Sequence, residues 1–110
     1  MNLLDANIFD PTKEITTVVW EDAQIRIEKI VSWGQTTPEG AEYCQQEAEW
    51  VSVLRGRGIL YFPDTDTQSV LDAGDQIMIL PCVRHRVLYT SKPCVWLCVF
   101  EKQKGEADER

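Results

Sequence analysis

The sequence predicts an all-β domain, a sandwich or small barrel of about eight short antiparallel strands. Three observations lead there. Runs of β-branched and aromatic residues recur along the chain, each closed by Gly, Pro or Asp. No segment keeps a 3.6-residue apolar period beyond two turns. The chain is 110 residues long and 44% apolar, enough for one core that buries roughly two-thirds of the surface an unfolded chain exposes.

Taken in order, TTVVW (16–20) is β-branched and aromatic, and QIRIEKIVSW (24–33) alternates. In the latter, Ile25, Ile27 and Val31 share one face while Arg26, Glu28 and Ser32 share the other. EWVSVL (49–54) is closed by Gly56 and Gly58, and ILYF (59–62) by Pro63 and Asp64. SVLDAGD leads into QIMIL (76–80), which Pro81 stops. HRVLYT (85–90) precedes SKP, and VWLCVF (95–100) closes the apolar pattern. GAEYCQQEAEW carries helix-favouring Glu, Gln and Ala, but it is short and runs straight into a β-branched stretch, so loop-then-strand is expected. Residues 1–100 read as one domain, and the polar EKQKGEADER (101–110) as a frayed tail.

The balance of 18 acidic against 11 basic residues, a formal charge of −7, disfavours nucleic acid and anionic membrane surfaces. Arg55 with Arg57 and Arg84 with Arg86 form short pairs, not a basic stripe. No run approaches the roughly 18 apolar residues of a membrane helix. The start, MNLLDANIFDP, lacks the basic and apolar regions of a signal peptide, so the cytoplasm is expected. Cys94 and Cys98 share one strand-like run, which sets their Cα atoms roughly 13 Å apart, beyond reach of a disulfide. Cys44 and Cys82 can meet only through the fold. Buried, reduced thiols acting as small apolar residues are the simplest reading of all four cysteines.

Two segments carry the functional signal: TTPEGAEYCQQEAEWVSVLRGRG and LDAGDQIMILPCVRHRVLYT. In the first, Glu49 is followed after six residues by Gly56; in the second, His85 lies eleven positions after Gly74 of Gly74-Asp75. These spacings resemble the two motifs of the cupin superfamily, although Pro81 falls one position later than the family's proline. The resemblance extends to small single-domain bacterial cupins through Pro38-Glu39-Gly40, Glu49-Trp50-Val51, Leu54, Arg84-His85-Arg86-Val87 and Thr90. It covers roughly residues 24–100 and implies a double-stranded β-helix, a jelly-roll-like barrel. It also implies a homodimer, with residues 1–23 exchanged between protomers or packed at the interface to cover a sheet edge. Four tryptophans suit an aromatic-rich interface.

In that family, two histidines spaced i, i+2, a glutamate four residues later and a third histidine from the second motif hold a divalent metal. Counting back from Glu49 places Tyr43 and Gln45 at the two histidine positions; a spacing one residue longer gives Glu42 and Cys44. Residues 43, 45 and 49 keep one parity along a strand, which favours the first alignment. The sequence holds one histidine, His85. The candidate pocket is therefore Tyr43, Gln45, Glu49 and His85. A weak Zn, Ni, Mn or Fe site would use Gln45, Glu49 and His85, with Cys82 as a further ligand. Beside this stands a plainer reading, in which His85 is a polar residue satisfied inside the barrel by Glu49 or Tyr43. Trp50, at opposite parity to Glu49, reads as an outer or interface residue. Gly74-Asp75 and Pro38-Glu39-Gly40 read as turns.

There is no phosphate-binding glycine loop, no Gly-x-Ser-x-Gly elbow and no second histidine for a triad. A nucleophile made of Cys82 or Cys44 with His85 has no supporting motif. Two function classes follow. One is a non-enzymatic or regulatory module that binds a small polar molecule in the barrel. The other is a metal-dependent enzyme of oxygenase or isomerase type with an atypical Gln/Glu/His site. Loss of two imidazoles favours the first.

Overall fold

The structure, a computed structural model, describes residues 1–103. Eight strands follow in order: β1 (Ile15–Glu21), β2 (Ile25–Ser32), β3 (Ala48–Arg55), β4 (Arg57–Phe62), β5 (Thr67–Asp72), β6 (Gln76–Ile79), β7 (Arg86–Thr90) and β8 (Cys94–Glu101). They form a five-stranded sheet, β1-β2-β8-β3-β6, and a three-stranded sheet, β5-β4-β7, with antiparallel pairing throughout. This is an all-β jelly-roll-like barrel. Among the described residues no helix is long and apolar enough to cross a membrane. Residues 41–47 are a loop and one isolated bridge before β3, as their position ahead of a β-branched run requires.

The core lies between the sheets. Val51, Val53, Trp96 and Phe100 of the larger sheet pack with Leu60 and Leu71 of the smaller one. Two glycines permit that contact. A Cβ on Gly58 would lie 2.2 Å from the Trp96 ring, so the strand can pass only as glycine. Gly56 turns β3 into β4 at φ +79°, and a Cβ there would meet Ser91 Oγ at 2.2 Å and the Pro93 carbonyl oxygen at 2.3 Å. The motif glycine is thus required by backbone shape.

The register of β2 against β8 decides which face of β2 looks inward. Glu28 pairs with Cys98, Ile30 with Trp96 and Arg26 with Phe100, so the face with Arg26, Glu28 and Ser32 is the interior one. Arg26 is satisfied there by both oxygens of Glu47, by Glu28 and by the Phe100 ring, 4.4 Å from its guanidinium carbon. Ser32 is fully buried, accepts from Trp96 Nε1 at 3.0 Å and donates to Glu14 Oε2 at 2.7 Å. The apolar face of Ile25, Ile27 and Val31 looks outward, where the N-terminal segment covers part of it. Ala6 packs on Val31 and Val95, and Lys29 Nζ donates to the carbonyl oxygens of Asn2 (3.1 Å) and Asp5 (2.5 Å). Phe9 stacks on Trp33 at 4.0 Å between ring centroids.

Two expectations need correction. All four cysteines are free, but only Cys94 and Cys98 are buried. Cys44 and Cys82 are exposed because they belong to loops beside the barrel mouth, where no second layer covers them. The chain also stays ordered past the expected tail boundary. Glu101 ends β8, Lys102 N–H donates to the Gln24 carbonyl oxygen at 2.9 Å, and Gln103 Nε2 donates to the Gln46 carbonyl oxygen. The rest of that tail, 104–110, lies outside the described residues.

Candidate functional site

The sheets enclose a cavity of about 280 Å3. Tyr43, Gln45, Glu49 and His85 all line it, joined by Glu14 and Glu28. Its apolar wall comes from Val51, Leu60, Ile79, Val87, Trp96 and Phe100. Glu14 and Tyr43 are exposed and stand at the mouth, whereas Glu49 and His85 are buried.

Glu49 points inward because it shares the parity of its ladder partners Phe100 and Ile79. Gln45, in the loop before β3, donates from Nε2 to Glu49 Oε1 at 2.7 Å. His85 is held by its backbone. Its N–H donates to the Tyr43 carbonyl oxygen at 3.0 Å, and its own carbonyl oxygen accepts from Tyr43 N–H at 2.8 Å. That bridge also stacks the Tyr43 ring on the imidazole, with centroids 5.5 Å apart and planes 26° apart. His85 Nδ1 lies 2.9 Å from the Val83 carbonyl oxygen. A carbonyl can only accept, so Nδ1 carries the hydrogen, and in the neutral ring Nε2 is an acceptor. Nε2 is 3.9 Å from Glu49 Oε1, too far for a hydrogen bond.

The acidic surroundings leave a mark on the neighbouring groups. Burial, then the charges of Glu14 and Glu49, push the Tyr43 phenol up, so it stays protonated. Burial, then the charge of Glu49, raises the Cys98 thiol well above the usual thiol range, which leaves a lining thiol without nucleophilic character.

These residues do not fit a transition metal. They supply one imidazole and one carboxylate, and that carboxylate's Oε1 already receives the Gln45 amide. The Gln45 amide N–H is thus taken up by Glu49. Cys82 is exposed, lies outside the cavity lining, and uses its N–H to bind the Gln45 carbonyl oxygen at 2.8 Å. Among the described residues no three His, Cys, Asp or Glu side chains cluster to hold an ion. The expected ligand set of Gln45, Glu49 and His85, with Cys82 added, is thus brought together only in part.

Arg84 and Arg86 do not reach Glu49. Arg84 pairs with Asp64 at 2.5 Å and with Glu42 at 3.2 Å, and Arg86 donates to the carbonyl oxygens of Thr37 and Pro38. Trp50 faces away from the cavity and donates to Gln76 Oε1 at 2.8 Å. Sequence reasoning did not select Glu14, Glu28, Trp96 or Phe100. The one signal for Glu28 was Ile30, an apolar residue on the otherwise polar face of β2.

A family model described as a cupin domain matches residues 33–100. A candidate mannose-6-phosphate isomerase from Ralstonia eutropha JMP134 superposes with a TM-score of 0.87 at 30% identity, covering 94% of this chain and 97% of that one. An RmlC-like cupin protein from Desulfovibrio desulfuricans superposes at 0.70 with 21% identity, covering 92% of each chain. The polyketide cyclase RemF from Streptomyces resistomycificus superposes at 0.67 with 17% identity, covering 82% of this chain and 66% of that one. At such identities the last two establish the fold alone. No curated protein sequence matches the chain.

Proposed function

The chain belongs to the cupin family, and from that premise we propose that it is a non-enzymatic or regulatory module that binds a small polar molecule inside the barrel. The carrying observation is the cavity of about 280 Å3, apolar on its walls, on which Gln45, Glu49, His85 and Tyr43 converge. Concave, mostly apolar sites with a few placed polar groups are how folds hold small molecules. The fold alone licenses no reaction.

The second reading is a metal-dependent isomerase or oxygenase, favoured by the 30% identity to a candidate mannose-6-phosphate isomerase. The donor set supports it poorly. A phosphorylated sugar would also need a cationic partner, and among the described residues the lining contains no Lys or Arg. Elemental analysis of untagged protein separates the two. Binding alone predicts substoichiometric metal and a protein that stays folded in chelator, with a melting temperature raised by members of a small-metabolite panel. Stoichiometric iron, nickel, manganese or zinc that disappears in His85→Ala overturns it.

The proposed assembly is a homodimer through the outer face of the five-stranded sheet. Ladder partners place Trp20, Ile27, Val99, Trp50 and Met78 in one row across β1-β2-β8-β3-β6. Trp20 and Met78 are 58% and 52% exposed. An apolar row that crosses a whole sheet is suited to meet its own copy across a two-fold axis. Nucleic acid is not a proposed partner. Arg55 is spent on the Leu4 carbonyl oxygen, Arg57 on Asp72, Arg84 on Asp64 and Glu42, and Arg86 on backbone oxygens.

A further inference from the structure

We propose that the group seated between His85 and Glu49 is the N–H-bearing end of a small organic ammonium, and that the same pocket rejects phosphorylated ligands. The inference rests on the binding-module reading and names the ligand class for that site.

The first argument is the pattern of donors and acceptors. The Val83 carbonyl holds the hydrogen on His85 Nδ1, so Nε2 of the neutral ring is an acceptor, and Glu49 Oε1 of the carboxylate is one too. The two face each other at 3.9 Å, too far for a hydrogen bond between them. His85 is only 4% exposed, and Nε2 is the part of it left without a hydrogen-bond partner among the described residues. What belongs there is a donor with two hydrogens to give. At a nitrogen within ordinary hydrogen-bond distance of both atoms the two acceptors subtend roughly 85–90°, narrower than the tetrahedral angle between N–H bonds by an amount that hydrogen bonds tolerate. A hydroxyl has a single hydrogen and satisfies one acceptor; an ammonium, like a water molecule or a neutral amine, has enough for both, and the charge of the site selects among these.

The second argument is charge. Glu28 pairs with Arg26, which it shares with Glu47. Glu49 and Glu14 have no Lys or Arg partner among the described residues; Glu49 is hydrogen-bonded by the neutral Gln45 amide and the Cys98 thiol, and Glu14 by the Ser32 hydroxyl. Glu49, buried in the wall, and Glu14, exposed at the mouth, thus give the pocket negative charge that no Lys or Arg among the described residues offsets, which attracts a cation and repels a phosphate. The Tyr43 and Trp96 rings line the same space, and aromatic rings favour a nearby positive charge. A cavity of about 280 Å3 admits a short aliphatic chain behind the ammonium.

The test is calorimetric and thermal-shift titration of the full chain in EDTA, near neutral pH, with four probes: 1-aminobutane, 1,4-diaminobutane, butane-1,4-diol and mannose 6-phosphate. The amines are expected to bind and raise the melting temperature, the diol to bind at least about tenfold more weakly, and the phosphate not at all. Glu49→Gln should weaken amine binding at least about tenfold. Should that variant unfold, Glu14→Gln at the exposed mouth serves instead, with an expected loss of about threefold. Amine binding that is undetectable, unchanged in these variants, or no stronger than that of the diol overturns the ammonium assignment, and so does binding of the sugar phosphate. Binding of the diol or the phosphate would still leave the binding-module reading standing. Only stoichiometric metal dependent on His85 removes that reading itself.

Discussion

Glu49 Oε1 and His85 Nε2 face each other at 3.9 Å although one lies in the larger sheet and the other just ahead of a strand of the smaller. Glu49 comes from β3 of the larger sheet, and His85 precedes β7 of the smaller one. Each is locked from behind, Glu49 by the Gln45 amide and His85 by the Val83 carbonyl oxygen. Their separation is therefore a property of how the two sheets pack, and ligands that respond to this pair read the barrel's closure. The opposition of two acceptors also sets what mutation at the site can do.

Counting back from Glu49 by the family's spacing makes Tyr43 and Gln45 the expected counterparts of its two histidines. Tyr43→His with Gln45→His would surround Glu49 and His85 with two more imidazoles. The double variant should purify with stoichiometric nickel, zinc or iron, measured by elemental analysis, and should lose it again on adding His85→Ala. A metal-free double variant would show that residues 43 and 45 do not stand at the histidine positions.

The thiols should divide two and two. Cys44 and Cys82 are exposed, whereas Cys94 and Cys98 are buried. Burial pushes Cys94 up to about 12 and Cys98 well above the usual thiol range. Native protein should titrate two thiols with an aromatic disulfide reagent, and denatured protein four. A raised acid pKa means that the folded state holds its proton more tightly than the unfolded state. This stability is complete below pH 9, the ordinary thiol value, and is lost as pH climbs from there toward 12. By pH 10 the loss is about 1 kcal/mol for Cys94 alone. Urea midpoints that do not fall between pH 8 and pH 10 would contradict it.

Gly56→Ala should destabilise strongly. Its φ of +79° strains any side chain, and the Cβ would sit 2.2 Å from Ser91 Oγ and 2.3 Å from the Pro93 carbonyl oxygen. A loss of about 2–4 kcal/mol is expected in urea unfolding. A cost below about 1 kcal/mol would mean that the turn relaxes without effort.

Ser32→Ala removes the acceptor of the buried Trp96 indole and the donor to Glu14 in one step. The expected cost is about 1–3 kcal/mol, since an indole N–H is left unsatisfied in the core. Ser32→Thr, which keeps the hydroxyl, should recover part of it unless its added methyl group overpacks the site.

For the dimer, Trp20→Glu combined with Met78→Glu places charge at both ends of the apolar row. Analytical ultracentrifugation should show the parent as a dimer and the double variant as a monomer with the same far-ultraviolet spectrum. A monomeric parent, or an unaffected dimer, removes this face from the assembly.

Strand positions, turns and the two spaced motifs were legible in the chain because they follow from local rules: period-two alternation, the conformational habits of Gly and Pro, and fixed spacing along a strand. The convergence of Tyr43, Gln45, Glu49 and His85 on one cavity follows from inward parity once the barrel closes. Other features were not local. Alternation in β2 declares two faces without saying which is inside; the ladder with β8 puts Arg26 and Glu28 inward and Ile25, Ile27 and Val31 outward. Nothing near Cys44 or Cys82 in sequence tells whether a second layer covers their loops.

Sequence alone therefore determined the barrel, and with its single histidine it determined that the family's full metal site is missing. Tertiary structure decided the rest. Pairing between strands chose the interior face of β2 and placed Glu14 and Glu28 beside the pocket. A backbone carbonyl two residues away, Val83, chose the tautomer of His85. The physical reason is the same in each case: a side chain's period is written in its own strand, while its surroundings are set by strands distant in sequence.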